Sequence, residues 1–348
     1  MKRLSLIDKL IYFLNSISLF LLIVSYISPY VSPIVFWPIS FIGLMFPILY
    51  FTNFLFLIYW FIGVKKPIWA NTIILLIGIG NVGNYIGTSP NKNSSKENIK
   101  VLTYNVRLFN KYNWLENPNV KDEIFDLLKL AKTDILCIQE FYTDGEIPNL
   151  NFSNIHIGLQ SKKNQWHMAI YSNYQQIDKR TVSIKGEKMN NTCIYSDIVI
   201  KEDTIRVYNI HLASNWFDSS DYSFIENPNS DHLKKGIFAI VKKMKNSYKK
   251  RALEVEVIKK HMQQSPYPII ACGDFNDTPL SYAYHILKGQ LVDAFKLSGK
   301  GIGISFVKIP ALRIDYILHD SKFTSSNYHK YNKILSDHYA ISCEIAIP

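Results

Sequence analysis

Charge is nearly missing from the opening stretch of this 348-residue chain: up to Pro90 only Lys2, Arg3, Asp8, Lys9, Lys65 and Lys66 carry any. The rest reads like an ordinary soluble protein, so the chain divides near residue 90 into two different materials. Cysteine is also scarce. The four present, Cys137, Cys193, Cys272 and Cys343, stand singly inside apolar runs such as DILCIQE and IIACGDF, with no CxxC pair and no Cys/His metal spacing. That pattern excludes a disulfide framework and a thiolate metal site, and reads as buried small hydrophobes. One bridge between neighbouring strands stays open. No internal repeat and no low-complexity tract is found.

What stands before residue 90 is long apolar sequence. Residues 10–29 (LIYFLNSISLFLLIVSYISP) hold no charge, and a helix needs about 20 mostly apolar residues to cross the hydrocarbon core. A second uncharged run predicts one Pro-kinked span over 34–63, and a third span follows over 68–87, with Trp69 and Tyr85 near its ends where aromatic rings favour the interface. A cleavable signal peptide is the rival for the first run, but Ser28-Pro29-Tyr30 does not resemble a small-residue cleavage site. Residues 1–90 therefore read as a membrane anchor, 91–98 as a linker and 99–348 as a separate domain. Lys2, Arg3 and Lys9 precede the first span, and Lys65 and Lys66 lie between the second and third. Cations stay on the cytoplasmic side, which predicts a cytoplasmic-membrane protein with its large domain on the extracytoplasmic face. The lysines of the linker pull weakly the other way.

The net charge is +11, and +7 of it falls after residue 90. Such an excess suits phosphate-bearing substrates or anionic lipid, and lysine-rich solvated helices produce it equally well. From Ile99, strand-like runs alternate with helix-like ones: IKVLTYNV, VKDEIFDLLKLAK, DILCIQE, then HMAIYSN, CIYSDIVI, TIRVYNIHL, YPIIACGDF, LRIDYILH and HYAISCEIAI. This is the pattern of an α/β domain. Between His211 and Pro266, Phe217–Asp231 reads as a loop, and Leu233–Met262 as one or two helices with a break near Ser247-Tyr248 and a solvated lysine face. Trp216, Phe217, Tyr222 and Phe224 suggest an aromatic loop beside His211, able to stack on a base, dip into lipid or pack on those helices.

Polar side chains recur at the ends of these strands. Asn105 closes KVLTYNV, Glu140 closes DILCIQE, His211 closes VYNIHL, Asp274 and Asn276 follow IIACG, Asp315 sits in LRIDYIL, and Asp337-His338 precede the last strand. Polar groups after apolar runs are costly to bury alone, and a shared metal or phosphate explains them together. Each has a plainer reading too: GDFN as a tight turn, Asp337 as a cap, Glu140 as the partner of a surface lysine.

Taken in order, LTYNV, IQE, NIHL, GDFND, RIDYIL and SDHYA resemble the endonuclease/exonuclease/phosphatase superfamily, the deoxyribonuclease-I-like fold. The resemblance implies a four-layered α/β sandwich, two packed mixed sheets flanked by helices, with the site at one edge. It implies Mg²⁺ or Mn²⁺ held by Glu140, with Asn105 and Asp337 completing the ligand set; oxygen ligands suit such hard cations. His338, oriented by Asp315, would deprotonate the attacking water, His211 would face the phosphate, and Asp274 and Asn276 would position the nucleophile and stabilise charge. Asn105, Arg107, His167 and Asn215 would contact substrate, His167 being equally well placed to lie idle at a strand edge. Arg107 departs from the pattern, standing in NVR where nuclease members often carry an acid. The implied activity is hydrolysis of a phosphodiester, in a nuclease or other phosphodiesterase. Alternatives are a phospholipase-C-like, sphingomyelinase-like or inositol-phosphate activity at the membrane, and a non-catalytic binding module. The implied partners are a nucleic acid or phospholipid head group and, through the first ninety residues, the bilayer.

Overall fold

The structure, a computed structural model, describes residues 5–63, 66–88, 98–143, 147–158, 166–184, 192–215, 217–226, 233–309 and 312–348. The linker apart from Asn98, the orienting residues Lys2, Arg3 and Lys65, and Trp216 of the aromatic loop lie outside the described residues. In chain order the helices α1 (Leu6–Ile27), α2 (Pro33–Phe36), α3 (Pro38–Leu44), α4 (Phe46–Ile62) and α5 (Ile68–Val82) come first. Next are β1 (Ile86–Thr88), β2 (Ile99–Asn105), α6 (Val120–Leu130), β3 (Ile135–Tyr142), β4 (Asn154–Gly158), β5 (Trp166–Ser172), β6 (Gln175–Thr181), β7 (Cys193–Ile200) and β8 (Asp203–His211). The remainder comprises α7 (Ser219–Glu226), α8 (Leu233–Gln263), β9 (Ile269–Asp274), α9 (Tyr282–Lys288), β10 (Val292–Asp293), α10 (Ala294–Ser298), β11 (Lys300–Ile302), β12 (Asp315–His319), β13 (Thr324–Lys330) and β14 (Ile341–Ala346).

One compact unit gathers Met1–Asn84, Trp216–Ala252 and Pro279–His285. Its first helix opens on a capping box in which Ser5 and Asp8 satisfy each other's backbone N–H groups. Among the described helices α1 alone is long and apolar enough to cross a membrane, and α3 with α4 passes only as a pair bent by 59°. The kinked helix expected over 34–63 is thus three pieces. Pro33, Pro38 and Pro47 each sit in the first turn of a new helix, because proline lacks the N–H that would continue the previous one. The third apolar helix stops at Val82, short of residue 87, because Ile86–Thr88 pairs as a strand with β11.

Burial in α1, α4 and α5 is inverted relative to a water-soluble bundle. Asn15, Asn53 and Asn71 are buried while Leu6, Phe13, Phe20, Phe51 and Ile77 are exposed. The amides satisfy one another: Asn15 Nδ2 donates to Asn71 Oδ1 at 3.0 Å, and Asn15 Oδ1 accepts from Asn71 Nδ2 and Trp60 Nε1, both at 2.8 Å. Polar groups inside and apolar groups outside suit a hydrocarbon surround, where helices associate through such amides.

In the insertion one expectation is corrected and one alternative is decided. Within Phe217–Asp231, a helix forms over Ser219–Glu226, started by Asp218 Oδ1 accepting from Ser220 N at 2.9 Å and Asp221 N at 3.1 Å. The helix after it runs unbroken through Ser247-Tyr248, where Ser247 Oγ donates to Lys243 O at 3.1 Å and needs no break to be satisfied.

The other unit, Tyr85–Asn215, Leu253–Thr278 and Ile286–Pro348, holds two mixed six-stranded sheets. Their orders are β13-β14-β2-β3-β5-β4 and β10-β12-β9-β8-β7-β6, with β2/β3 and β8/β9 parallel and the other neighbours antiparallel. Ile99, Val101, Cys137 and Ile170 meet Ile198, Val207, Ile270 and Cys272 between the sheets. Leu102, Tyr104, Leu136 and Ile138 pack outward on Ile124 and Leu128 of α6. On the far side, Val255 and Ile258 of α8 are buried and Tyr208 Oη lies 2.9 Å from His261 Nδ1. Helix, sheet, sheet and helix make the four-layered α/β sandwich. All four cysteines are free and buried, so no bridge joins neighbouring strands.

Candidate active site

The site is built on strand register. His211 of β8 stands directly beside Asp274 of β9, and Asp274 stands directly opposite Asp315 of β12. In-register neighbours point to the same face, so three strand ends set one row of side chains. Gly273 makes the approach possible: its φ of +139° lies where glycine alone is comfortable, and a Cβ there would strike the carbonyl oxygen of Ile210. Asn276, at φ +52°, turns the chain back so that its N donates to Asp274 Oδ1 at 2.8 Å and its Nδ2 donates to Asp274 Oδ2 at 3.1 Å and Leu212 O at 3.0 Å. Ala213 N donates to Glu254 Oε2 at 2.8 Å, fixing the chain just past His211.

The first sheet supplies the facing residues. Gln139 reaches between the sheets, its Nε2 donating to Asn209 Oδ1 at 2.6 Å, whereas Phe141 packs into the core under α6. Between them the β3–β5 register shifts and Glu140 takes a φ of +50°. This bulge aims Glu140 out of the strand's alternation and toward the row. Asn105 Nδ2 then donates to both Glu140 Oε1 at 3.3 Å and Asp274 Oδ2 at 3.1 Å, joining the two sheets. Ser336 Oγ donates to Asn105 O at 2.8 Å, tying Asp337-His338 to β2.

Electrostatics sharpen the arrangement. His338 Nδ1 lies 2.9 Å from Asp315 Oδ2, and its Nε2 lies 3.5 Å from Asp274 Oδ2. Burial opposes a charged imidazole, yet these two carboxylates outweigh it and lift His338 up to about 10. His211 Nε2 lies 3.8 Å from Glu140 Oε1 and 3.6 Å from Asp274 Oδ2, neither ring nitrogen has a hydrogen-bond partner, and burial lowers its pKa. Burial, and then the carboxylate of Asp337, push Glu140 up to about 7; burial likewise raises Asp274. Excess negative charge held beside unpartnered nitrogens, with Asp315 Oδ1 also unpartnered, is an environment that fits a divalent cation.

Among the described residues, Asp274, Asp315 and His338 offer ligand atoms all within 4.8 Å of one another. Of the ligands assigned from sequence, Asn105 and Glu140 face this group, and Asp337 is turned to Arg107 Nε at 3.2 Å. Arg107 itself begins a left-handed turn in which Arg107, Leu108, Phe109 and Asn110 have φ of 44°, 54°, 52° and 59°, and its guanidinium stacks 4.2 Å from the Trp114 ring centre. His167 shares a face of β5 with Ala169 and Tyr171, which pack in the core under α6, and pairs with Phe141. Asn215 is half-buried four residues past His211. Sequence reasoning missed Ser305, whose Oγ accepts from Ile314 N and Asp315 N at 2.9 Å each, and Phe306, whose ring lies 5.1 Å from that of His338. It also missed the fully buried pair of Arg313 with Asp293. No local pattern marks Ser305 or Phe306; Arg313, beside the Asp315 motif, was visible as a charge in an apolar run.

Solved structures share this fold. They include a functionally unknown conserved protein from Enterococcus faecalis V583 (18% identity, TM-score 0.52, covering 72% of this chain and 100% of that one). A humanized TDP2 from D. rerio (14%, 0.51, 72% and 100%) and the catalytic domain of human Nocturnin with a bound sulfate anion (17%, 0.51, 74% and 97%) are also similar. No curated protein matches. Residues 8–85 match a family described only as a domain of unknown function. Residues 102–338, most of the chain and every residue of the row, match the endonuclease/exonuclease/phosphatase family, whose fold indicates a phosphoesterase. The chain belongs to the endonuclease/exonuclease/phosphatase family.

Proposed function

We propose that the chain is a membrane-anchored phosphoesterase that hydrolyses a phosphodiester with a divalent cation, Mg²⁺ or Mn²⁺. The observation that carries this reading is the convergence of Glu140 from one sheet with His211 and Asp274 from the other, all within 3.8 Å of His211 Nε2. Glu140 would hold the cation with Asn105 and Asp337. Bound there, it supplies positive charge that polarises a phosphoryl oxygen and favours the neutral form of His338. His338, oriented by Asp315, takes the proton of a water positioned in line by Asp274, as general bases do within hydrogen-bond reach. His211, buried and with neither ring nitrogen hydrogen-bonded, donates to a phosphoryl oxygen, while Asn276 holds Asp274 in position through its N and Nδ2. Arg107 carries a fixed positive charge beside Asp337 and suits a phosphate contact.

Nucleic acid or a related diester is the favoured substrate, given the basic charge of the domain. A phospholipid head group is the second reading, supported by the exposed apolar surface of α1 and α4, which would keep the enzyme in a bilayer, with the phosphoesterase domain on the extracytoplasmic face. The test is hydrolysis by the full chain, in detergent, of a chromogenic phosphodiester, oligonucleotides and phospholipid vesicles, with Mg²⁺, Mn²⁺ or chelator. Metal-dependent turnover lost in Glu140→Ala and His338→Ala supports the reading. Turnover indifferent to chelator and to both substitutions sinks it.

A further inference from the structure

The seven lysines of the first two-thirds of α8, read from sequence as a solvated face, have a specific neighbour. From Leu233 to Ala252 the chain carries Lys234, Lys235, Lys242, Lys243, Lys245, Lys249, Lys250 and Arg251 and no acid. This stretch belongs to the same compact unit as the apolar helices. It packs on the segment that follows α1: Lys245 Nζ lies 5.2 Å from the Trp37 ring centre, and the rings of Tyr248 and Phe41 meet at 5.4 Å. That segment also holds Tyr30, which is exposed, and Ser28, whose Oγ donates to Leu280 O at 2.9 Å. Tyr and Trp at the end of an apolar helix mark the level of the lipid head groups.

Helical spacing extends this contact into an open stripe. Phe238 is seven residues before Lys245, hence about 20° from it around the helix and about 10 Å along it. Lys234 and Lys242 flank Phe238 at four residues on either side, and Lys249 follows Lys245 by four. Phe238 is 71% exposed, with Ile237 and Leu233 also exposed beside it. Lys243 is occupied by Asp218 and Asp221, and from Leu233 to Ala252 the helix carries no acid. An exposed phenylalanine among lysines, continuous with a head-group-level contact, is the make-up of a helix that lies in the membrane interface.

We propose that the face of α8 running from Lys234 through Phe238 to Lys249 lies in the head-group layer of the bilayer and binds anionic phospholipid. The proposal rests on the reading of α1 as a membrane span. Each lysine near an anionic surface strengthens binding by roughly fivefold, so Lys234, Lys242 and Lys249 together make the docking dependent on anionic lipid.

The native cysteines are all buried, so spin labels can be placed selectively on Phe238→Cys and, separately, on Phe20→Cys in α1. The full chain is reconstituted in vesicles of phosphatidylcholine alone or with phosphatidylglycerol, and collision with oxygen and with a water-soluble nickel chelate is compared. The expected result is a Phe20 label shielded from nickel in both vesicles. The Phe238 label becomes shielded only with phosphatidylglycerol, and is exposed again when Lys234, Lys242 and Lys249 are all changed to Gln. A shielded Phe20 label with Phe238 open to nickel in both vesicles overturns the docking and leaves the span intact. A Phe20 label open to nickel overturns the span and the docking together.

Discussion

In the proposed mechanism most of the chemistry turns on His338, which is held at Nδ1 by Asp315 and approached at Nε2 by Asp274. Replacing it by Ala should lower kcat by about 10²- to 10⁴-fold with little change in KM, and Asp315→Asn should follow in the same direction; steady-state assays of both variants check this. On the same reading Arg107→Gln should instead act on KM, since it removes the charge proposed to meet the phosphate and breaks the ion pair with Asp337. A different histidine contributes to acid sensitivity. His156 is buried beside Ser196 Oγ at 3.1 Å, and burial, with Lys179 nearby, lowers it from 6.5 to about 4. Its folded-state pKa lies below its unfolded value, so its contribution is complete above about pH 6.5 and is lost as the pH falls through 4. That contribution is up to about 3 kcal/mol, and His156→Gln should flatten the fall of Tm over that window.

At the scale of elements, Gly273 and the Asn amides are the sharpest levers. Gly273→Ala places a side chain against the Ile210 carbonyl at a positive φ and should cost at least about 3 kcal/mol, unpairing β8 from β9; denaturant titration of the variant gives the number. Asn15→Leu strands Asn71 and Trp60 without their acceptor and should cost about 1–2 kcal/mol in mixed-micelle unfolding. Strands with dense apolar runs, such as IKVLTYN and CIYSDIVI, were legible in the sequence. Those made of QQIDKRT and TSSNYHK were not, because their neighbours in the sheets, and not their own composition, make them strands. The strand ends could be read as polar, but the row of His211, Asp274 and Asp315 depends on register between segments far apart in sequence, which no local pattern encodes. The Glu140 bulge is equally silent in sequence, having no glycine to announce its positive φ.

For the whole molecule, the inverted burial of α1, α4 and α5 predicts that the chain stays in the pellet when membranes are washed with alkaline carbonate, whereas a peripheral protein is released. The change of composition near residue 90 was legible, but the compact unit that holds the apolar helices also takes in Trp216–Ala252 and Pro279–His285, which no change of composition marks. The helix boundaries inside 34–63 were blurred because an uncharged run gives no periodic contrast, and only the prolines mark the joints.

One feature of the first sheet also governs the order in which the enzyme can come into being. Strand β14 lies between β13 and β2, so β2, among the earliest of these strands to leave the ribosome, has one edge bare until Ile341–Ala346 are synthesised. His338 is delivered by the same late segment, and Asn105 meets Ser336 only then. Nascent chains arrested before residue 341 should therefore be protease-sensitive and inert, with resistance and hydrolysis arriving together once β14 clears the exit tunnel.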